Sequence, residues 1–290
     1  MFVATLIARP GSLEPALAEA VRNAWGGGSL DWLAPDEATA FDIPHKPDNQ
    51  WKVWQDLQDL RVDLCVQPAE GRRKQMLLAD MDSTMIQQEC IDELADVAGV
   101  GDRVKEITAR AMNGDLDFEG ALTERVSLLS GLDARMIDHV LERRITHMPG
   151  GATLVATMKQ NGAYAALVSG GFTFFTQSVA AALGFDEHRA NCLIIKNGQF
   201  TGEVERPILG RDAKVRALEE ITERLGLSEA DVLAVGDGAN DLGMLSRAGS
   251  GVALHAKPAV AAQCELRINH GDLTALLYLQ GYARDAFVSP

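Results

Sequence analysis

Six short apolar runs, at 76–80, 164–169, 192–195, 232–235, 251–254 and 266–268, alternate with stretches of helical periodicity, and this alternation constrains the fold more than any other property of the chain. Repeated strand–helix–strand units require crossovers and therefore parallel strands. Helices then cover both faces of the sheet, which is why the runs are continuously apolar. An α/β fold with a doubly wound parallel sheet is expected over residues 71–290. Asn161-Gly162 and Gly184 mark helix ends, and Asn197-Gly198, between Leu193-Ile194-Ile195 and Phe200-Thr201-Gly202, marks a hairpin turn.

One crossover is far too long. About eighty residues separate the strand ending at Asp80 from the one beginning at Tyr164, where a single helix would suffice. Helical periodicity runs through 88–145, with stops at Gly99, Asn113-Gly114 and Gly131, so an all-helical insert is expected at about 86–146. A lid that closes over a substrate and a plain structural subdomain both fit that pattern.

Residues 1–70 follow another plan: strand 2–8, helix 13–25, a break at Gly26-Gly27-Gly28, strands near 30–33 and 38–43, helix 50–57 and strand 61–66. That order, βαββαβ, is the ferredoxin-like α+β arrangement. Glu70-Gly71-Arg72-Arg73-Lys74 reads as the linker between the units.

At 290 residues the chain is long for one core, in keeping with two units. A formal charge of −14 without a basic stripe speaks against a nucleic-acid partner. No apolar stretch approaches the length of a membrane span, so no membrane partner is expected. Cys65, Cys90, Cys192 and Cys264 lack metal-ligand spacing, and reduced thiols in a cytoplasm are expected.

The chemistry gathers where strands end. Asp80-Met81-Asp82-Ser83-Thr84 follows the first run and holds two carboxylates one residue apart, so both point to one edge if the chain turns there. A helix-capping turn rich in Asp would look the same. After the run at 232–235 comes Gly236-Asp237-Gly238-Ala239-Asn240-Asp241, and Asp237 and Asp241 are candidate metal ligands. Four carboxylates at one edge would repel unless a cation sat among them, and an all-oxygen set favours Mg2+. Ser169-Gly170-Gly171 offers a hydroxyl and backbone N–H groups at a helix start, which suits a phosphate oxygen. Lys214 lies in the first turn of a helix, against the macrodipole, as an anion-binding lysine or as a solvated one.

Taken in order, Asp80-Met81-Asp82-Ser83-Thr84, Ser169-Gly170-Gly171, Lys214 and Gly236-Asp237-Gly238-Ala239-Asn240-Asp241 resemble the four motifs of the haloacid-dehalogenase-like phosphatases. The insert resembles the helical cap of the phosphoserine phosphatases within that superfamily, through Glu89-Cys90-Ile91-Asp92-Glu93, Thr108-Ala109-Arg110-Ala111-Met112, Asp117-Phe118 and Arg125-Val126-Ser127-Leu128-Leu129. The resemblance implies a Rossmann-like sheet and an enzyme that hydrolyses O-phosphoserine in the last step of serine biosynthesis. It implies Asp80 as nucleophile and Asp82 as general acid and base. Mg2+ would be held by the Asp80 carboxylate, the Asp82 main-chain carbonyl and Asp237, with Asp241 acting through water. Ser169, Gly170 and Lys214 would cradle the phosphoryl group, and Asn240 would orient Lys214 or the substrate. Glu89 would take the substrate ammonium and Arg125 its carboxylate, with Met112 and Phe118 closing over it. A related small-molecule phosphatase or phosphotransferase, or an amino-acid-sensing binding protein, are the alternatives. Residues 1–70 resemble a small regulatory domain of the ACT type, mainly in Arg9-Pro10-Gly11-Ser12-Leu13 and the strand order. That leaves an effector site, a packing role and a homodimer contact all open.

Overall fold

In the computed structural model, which describes residues 1–112 and 115–289, the chain forms three sheets. The side chain of Met112 and the expected stop at Asn113-Gly114 lie outside the described residues. The N-terminal sheet is built from β1 (Phe2–Ile7), β2 (Asp31–Ala34), β3 (Ala38–Ile43) and β4 (Asp63–Pro68), in the order β2-β3-β1-β4, with helices α1 (Pro15–Ala24) and α2 (Gln50–Gln58) between strands. Alternation along these strands sorts their side chains to two faces. Ala4, Leu6, Phe41, Ile43, Leu64 and Val66 pack with Ala18, Val21 and Leu57 from the helices. Val3, Ile7, Ala38, Ala40 and Cys65 face the other way and join the core of the rest of the molecule.

Polar contacts fix that second face. Asp63, fully buried, accepts from the backbone N–H groups of Asn269 at 2.8 Å, His270 at 3.0 Å and Gly271 at 2.8 Å. Two residues on, the Cys65 thiol reaches Arg267 O at 3.6 Å. Gln67 then donates to Leu279 O at 2.7 Å. The Arg267 guanidinium lies 3.8 Å from the centroid of the Trp51 ring, within cation–π range. Both faces of the four-stranded sheet are therefore occupied within one chain.

A shortened chain beginning at Gly71 exposes the apolar and polar groups that this face covers. Its melting temperature is expected to fall by at least about 10 °C, or the protein to aggregate. A soluble monomer melting with the full chain would show that the interface contributes nothing.

The second unit is a six-stranded parallel sheet with the order β12-β11-β10-β5-β6-β7. Its first strand, β5 (Met76–Ala79), leads into the insert of α3 (Cys90–Val97), α4 (Gly101–Met112), α5 (Phe118–Ser127) and α6 (Met136–Arg143). An isolated antiparallel bridge pairs Ile86 with His147 where the chain leaves and rejoins the sheet layer. Helix α7 (Gly151–Gln160) then precedes β6 (Tyr164–Phe172), and α8 (Thr173–Leu183) precedes β7 (Glu187–Asn191). The hairpin β8 (Leu193–Lys196) and β9 (Gln199–Val204) and the helix α9 (Arg211–Leu225) lead to β10 (Val232–Gly236). The chain ends through α10 (Leu242–Arg247), β11 (Ser250–Leu254), α11 (Pro258–Ala261), β12 (Leu266–Ile268) and α12 (Ala275–Leu279).

The expected strand at 192–195 is not a member of the parallel sheet. It forms half of the separate hairpin, and the sheet's edge is β7, whose Glu-His-Arg sequence is only half buried. An edge strand lacks the apolar run that marks a central one. The other strands are covered on both sides. Leu78, Ala166 and Ala234 pack under α9 and α10, while Leu77, Leu167 and Val235 pack under α7 and α8. No helix among the described residues is long and apolar enough to cross a membrane.

Candidate active site

Sheet order and register bring the strand-end residues together. Strand β5 lies between β6 and β10, and the chain runs outward from it in both directions, so the β5–β10 junction is a topological switch point where open sheets bind ligands. Ala79 is level with Val235 on one side and with Leu167 on the other. Asp80, Gly236-Asp237 and Val168-Ser169 therefore emerge side by side. The Asp80 N–H still bonds Val235 O at 3.0 Å, and the chain turns sharply through Ser83, which sits at φ 54°.

Asp80, Asp237 and Asp241 place carboxylate oxygens within 4.8 Å of one another. Lys214, fully buried in the first turn of α9, puts Nζ 2.5 Å from Oδ1 of both Asp80 and Asp241. The ammonium thus bridges the two carboxylates, as an ion pair with Asp80 and a hydrogen-bonded pair with Asp241. Burial and the Asp241 charge push the Asp80 carboxyl well above the ordinary range, against the pull of Lys214. Burial draws the Lys214 ammonium down, but Asp241 and Asp80 outweigh it and raise its pKa. Asp237 is pushed up to about 7 by burial and by Asp241, while a 3.2 Å bond from Thr84 Oγ1 opposes this. Three carboxylates against one ammonium, offering only oxygen ligands, fit a hard divalent cation.

Asp82 joins the sheet edge to the insert. Its Oδ1 accepts from Cys90 N at 2.9 Å, capping α3, and its Oδ2 accepts from Ser169 Oγ at 3.2 Å. Burial and then the nearby Glu89 carboxylate raise Asp82 to about 6. Ser169 Oγ in turn accepts from Gly171 N at 2.9 Å. At Gly171 a Cβ would fall 2.6 Å from Asp82 Oδ2, and at Gly170 it would fall 2.9 Å from the Phe118 ring. The chain can pass this close to both groups only with glycine at those positions.

The insert closes the far side. Asp117 caps α5 by accepting from Gly120 N at 2.7 Å, which sets Phe118 over the Ser169-Gly170-Gly171 turn. Two helical turns further on, Arg125 lines the same space, with Nε donating to Ala121 O at 3.2 Å and no ion pair to its guanidinium among the described residues. Burial lowers its pKa, and Asp92, Glu89 and Asp82 act against that. Ser83 Oγ holds Glu89 at 2.7 Å.

The resulting cavity, about 320 Å³, is lined by Asp80, Asp82 and Asp237 together with Glu89, Arg125 and Phe118 from the insert side. Gly170 and Asn240 also line it, while Ser169, Lys214 and Asp241 lie fully buried behind it. Larger clefts, of 450, 480 and 520 Å³, follow the boundary between the units and contain none of these carboxylates. Size does not identify the site; convergent charge does.

Sequence reasoning missed four contributors. Thr84 was read only as part of its motif, and Asp92 and Thr108 were quoted without a role, although both line the cavity. The Thr108 hydroxyl is buried there without a partner. Asn191, taken up below, stands outside every motif.

A family model described as haloacid dehalogenase-like hydrolase matches residues 77–246, and the chain belongs to that family. Among its relatives, a phosphoserine phosphatase of Streptomyces coelicolor is 44% identical over 229 residues, covering 78% of this chain and 55% of that protein. A phosphoserine phosphatase of Archaeoglobus fulgidus is 41% identical over 227 residues, covering 78% and 66%. The chain thus spans between about half and two thirds of the length of these two relatives. Among solved structures, a haloacid-dehalogenase family hydrolase from Salmonella enterica serovar Typhi superposes with a TM-score of 0.88 at 27% identity, covering 98% of this chain and 99% of that one. A probable phosphoserine phosphatase from Vibrio cholerae gives 0.81 at 31% identity, covering 98% and 88%.

Proposed function

We propose that this protein is a phosphomonoesterase that hydrolyses O-phosphoserine to serine and phosphate through a phosphoryl-aspartate on Asp80. One observation carries the reading: the Arg125 guanidinium, with no ion pair among the described residues, and the Glu89 carboxylate line the same cavity as the acidic cluster. A phosphorylated amino acid has matching groups at both ends. Relatives named phosphoserine phosphatase support the choice.

The chemistry follows from the positions. The Asp80 carboxylate attacks phosphorus in line, which splits one difficult displacement into two. Asp82, poised on the Ser169 side of the turn, protonates the departing serine oxygen and later takes a proton from the attacking water. Ser169, the Gly170 backbone and Lys214 stabilise charge on the transferring phosphoryl oxygens, with Asn240 nearby to orient substrate or Lys214. Asp80, Asp82 through its carbonyl, Asp237 and Asp241 would hold Mg2+, which when bound offsets negative charge on nucleophile and phosphate. Glu89 accepts from the substrate ammonium. Arg125 meets the carboxylate with its planar fork, and Phe118, with Met112 in the expected role, covers the substrate from water. The residue boundaries follow the same reading: an ACT-like unit over 1–70, a phosphatase unit over 71–290 and a cap at about 86–146, acting in the cytoplasm.

Phosphate release from a panel of small phosphomonoesters, with and without Mg2+, tests this directly. O-phosphoserine should lead the panel, and a flat profile would remove the substrate assignment. Arg125→Ala should lower kcat/KM for O-phosphoserine by about 30- to 5,000-fold, the 2–5 kcal/mol cost of truncating one half of a buried charge pair. It should leave p-nitrophenyl phosphate, which has no carboxylate, near the wild-type rate. Equal losses on both substrates would mean that Arg125 seats the cap or contacts phosphate.

A further inference from the structure

Asn191, at the last position of β7, is 3% exposed, and its amide joins two loops of the site. Nδ2 donates to Gly170 O at 2.8 Å and to Leu209 O at 3.1 Å, while Oδ1 accepts from Leu209 N at 2.6 Å. Gly170 lies in the turn that would hold the phosphoryl oxygens. Leu209 stands just ahead of α9, five residues before Lys214. Both amide hydrogens and the carbonyl are thus engaged with backbone, in a buried setting where an unmade bond is costly.

Between residues 191 and 209 the chain leaves the core as the β8–β9 hairpin, and that hairpin lies against the insert. Gly131 N donates to Phe200 O at 2.9 Å and Ala134 N donates to Gly198 O at 2.9 Å. Ser130 Oγ donates to Thr201 O at 3.1 Å. From the insert side, the Phe118 ring covers Gly170 and lies 3.1 Å from where a Cβ on Gly210 would be. The insert therefore touches the loops that Asn191 ties together in two ways: directly through Phe118, and through a hairpin whose two ends meet at one side chain.

We propose that Asn191 is a positioning residue that sets the spacing between the Ser169-Gly170-Gly171 turn and Lys214, and that the hairpin it closes off couples the seating of the insert to that spacing. The proposal rests on the phosphoryl-transfer reading of the site. It concerns the phosphoryl group, which every substrate shares, and not the amino-acid end. No other side chain hydrogen-bonds to both loops among the described residues, and Phe118 touches both only by packing, so removing the amide lets the phosphate-binding N–H groups and the ammonium drift apart. Sub-ångström misplacement of charge-stabilising groups is enough to slow transfer.

The test compares the full chain with Asn191→Asp, which keeps the acceptor for Leu209 N–H but loses both donors. The readouts are the melting temperature, the Kd for inorganic phosphate by calorimetry at saturating Mg2+, and kcat/KM for O-phosphoserine and p-nitrophenyl phosphate. Asn191→Asp should melt within a few degrees of wild type, bind phosphate at least about 10-fold more weakly, and lose the same factor, about 10- to 100-fold, on both substrates. The equal loss separates it from Arg125→Ala. If wild type favours neither substrate, the substrate reading fails while the phosphate titration still decides this one. A folded Asn191→Asp with wild-type phosphate affinity, or with a loss confined to O-phosphoserine, overturns the proposal. Asn191→Ser, which removes the same donors without adding charge, carries the same expectation where Asn191→Asp does not fold. Failure of both to fold would assign Asn191 to the fold and not to the site, and would overturn it as well.

Discussion

Asp80→Asn is expected to be folded and to lose at least about 10⁴-fold in kcat, because an amide cannot serve as the nucleophile and no neighbouring group can replace it. Asp82 is engaged by Cys90 N and Ser169 Oγ, and Asp241 by Lys214 and Gly238 N. Neither can move to phosphorus without breaking those bonds. The same substitution should not cost stability. In the folded chain burial and the Asp241 charge raise the Asp80 carboxyl above its ordinary range, so above the ordinary carboxylate pKa the ionised form is held in the fold at a penalty. A neutral isostere removes that penalty, and Asp80→Asn should melt at or above the wild-type temperature near neutral pH. Transfer of labelled phosphate from substrate onto the Asp80→Asn protein would place the acceptor elsewhere. A folded variant that still turns over would do the same.

What the sequence made legible follows from where the physics is local. Met76–Ala79 and Val232–Gly236 are apolar on both faces because they are central strands, and the carboxylates that follow them stand out against that background. Residues such as Glu89 and Arg125 carry no such local mark. Each is a polar residue on a helix, and only the resemblance separated them from solvated charges. The edge strand β7 was hidden because an edge tolerates Glu187, His188 and Arg189. Asn191 was hidden for a related reason: its partners are backbone atoms 21 and 18 residues away, and bonds to backbone leave no residue-type signature at the far end. The inter-unit contacts were equally silent. Asp63 in a strand reads as a surface acid, and nothing near it in sequence shows that three N–H groups from residues 269–271 surround it.

Removal of divalent metal is expected to abolish turnover, with Mg2+ restoring it and Zn2+ failing to. Asp80, Asp237 and Asp241 bring oxygens within 4.8 Å of one another, and like charges at about 4 Å in a partly buried setting repel by roughly 4 kcal/mol per pair. Among the described residues Lys214 is the one ammonium paired with this cluster, so ionised carboxylates leave it about two charges short of neutral. A phosphate dianion approaching the cluster meets net repulsion, and a divalent cation reverses the sign. Oxygen-only donors select Mg2+ over Zn2+, for which nitrogen and sulfur ligands are the usual partners. A second readout needs no catalysis: Mg2+ should raise the melting temperature, since a ligand at 100 times its Kd stabilises by about 2.7 kcal/mol. Asp237→Asn should lose most of that increase while leaving the Lys214 contacts with Asp80 and Asp241 in place. Full turnover by chelator-treated, metal-free protein would refute the assignment. A rise in melting temperature that persists undiminished in Asp237→Asn would instead place the cation outside the cluster.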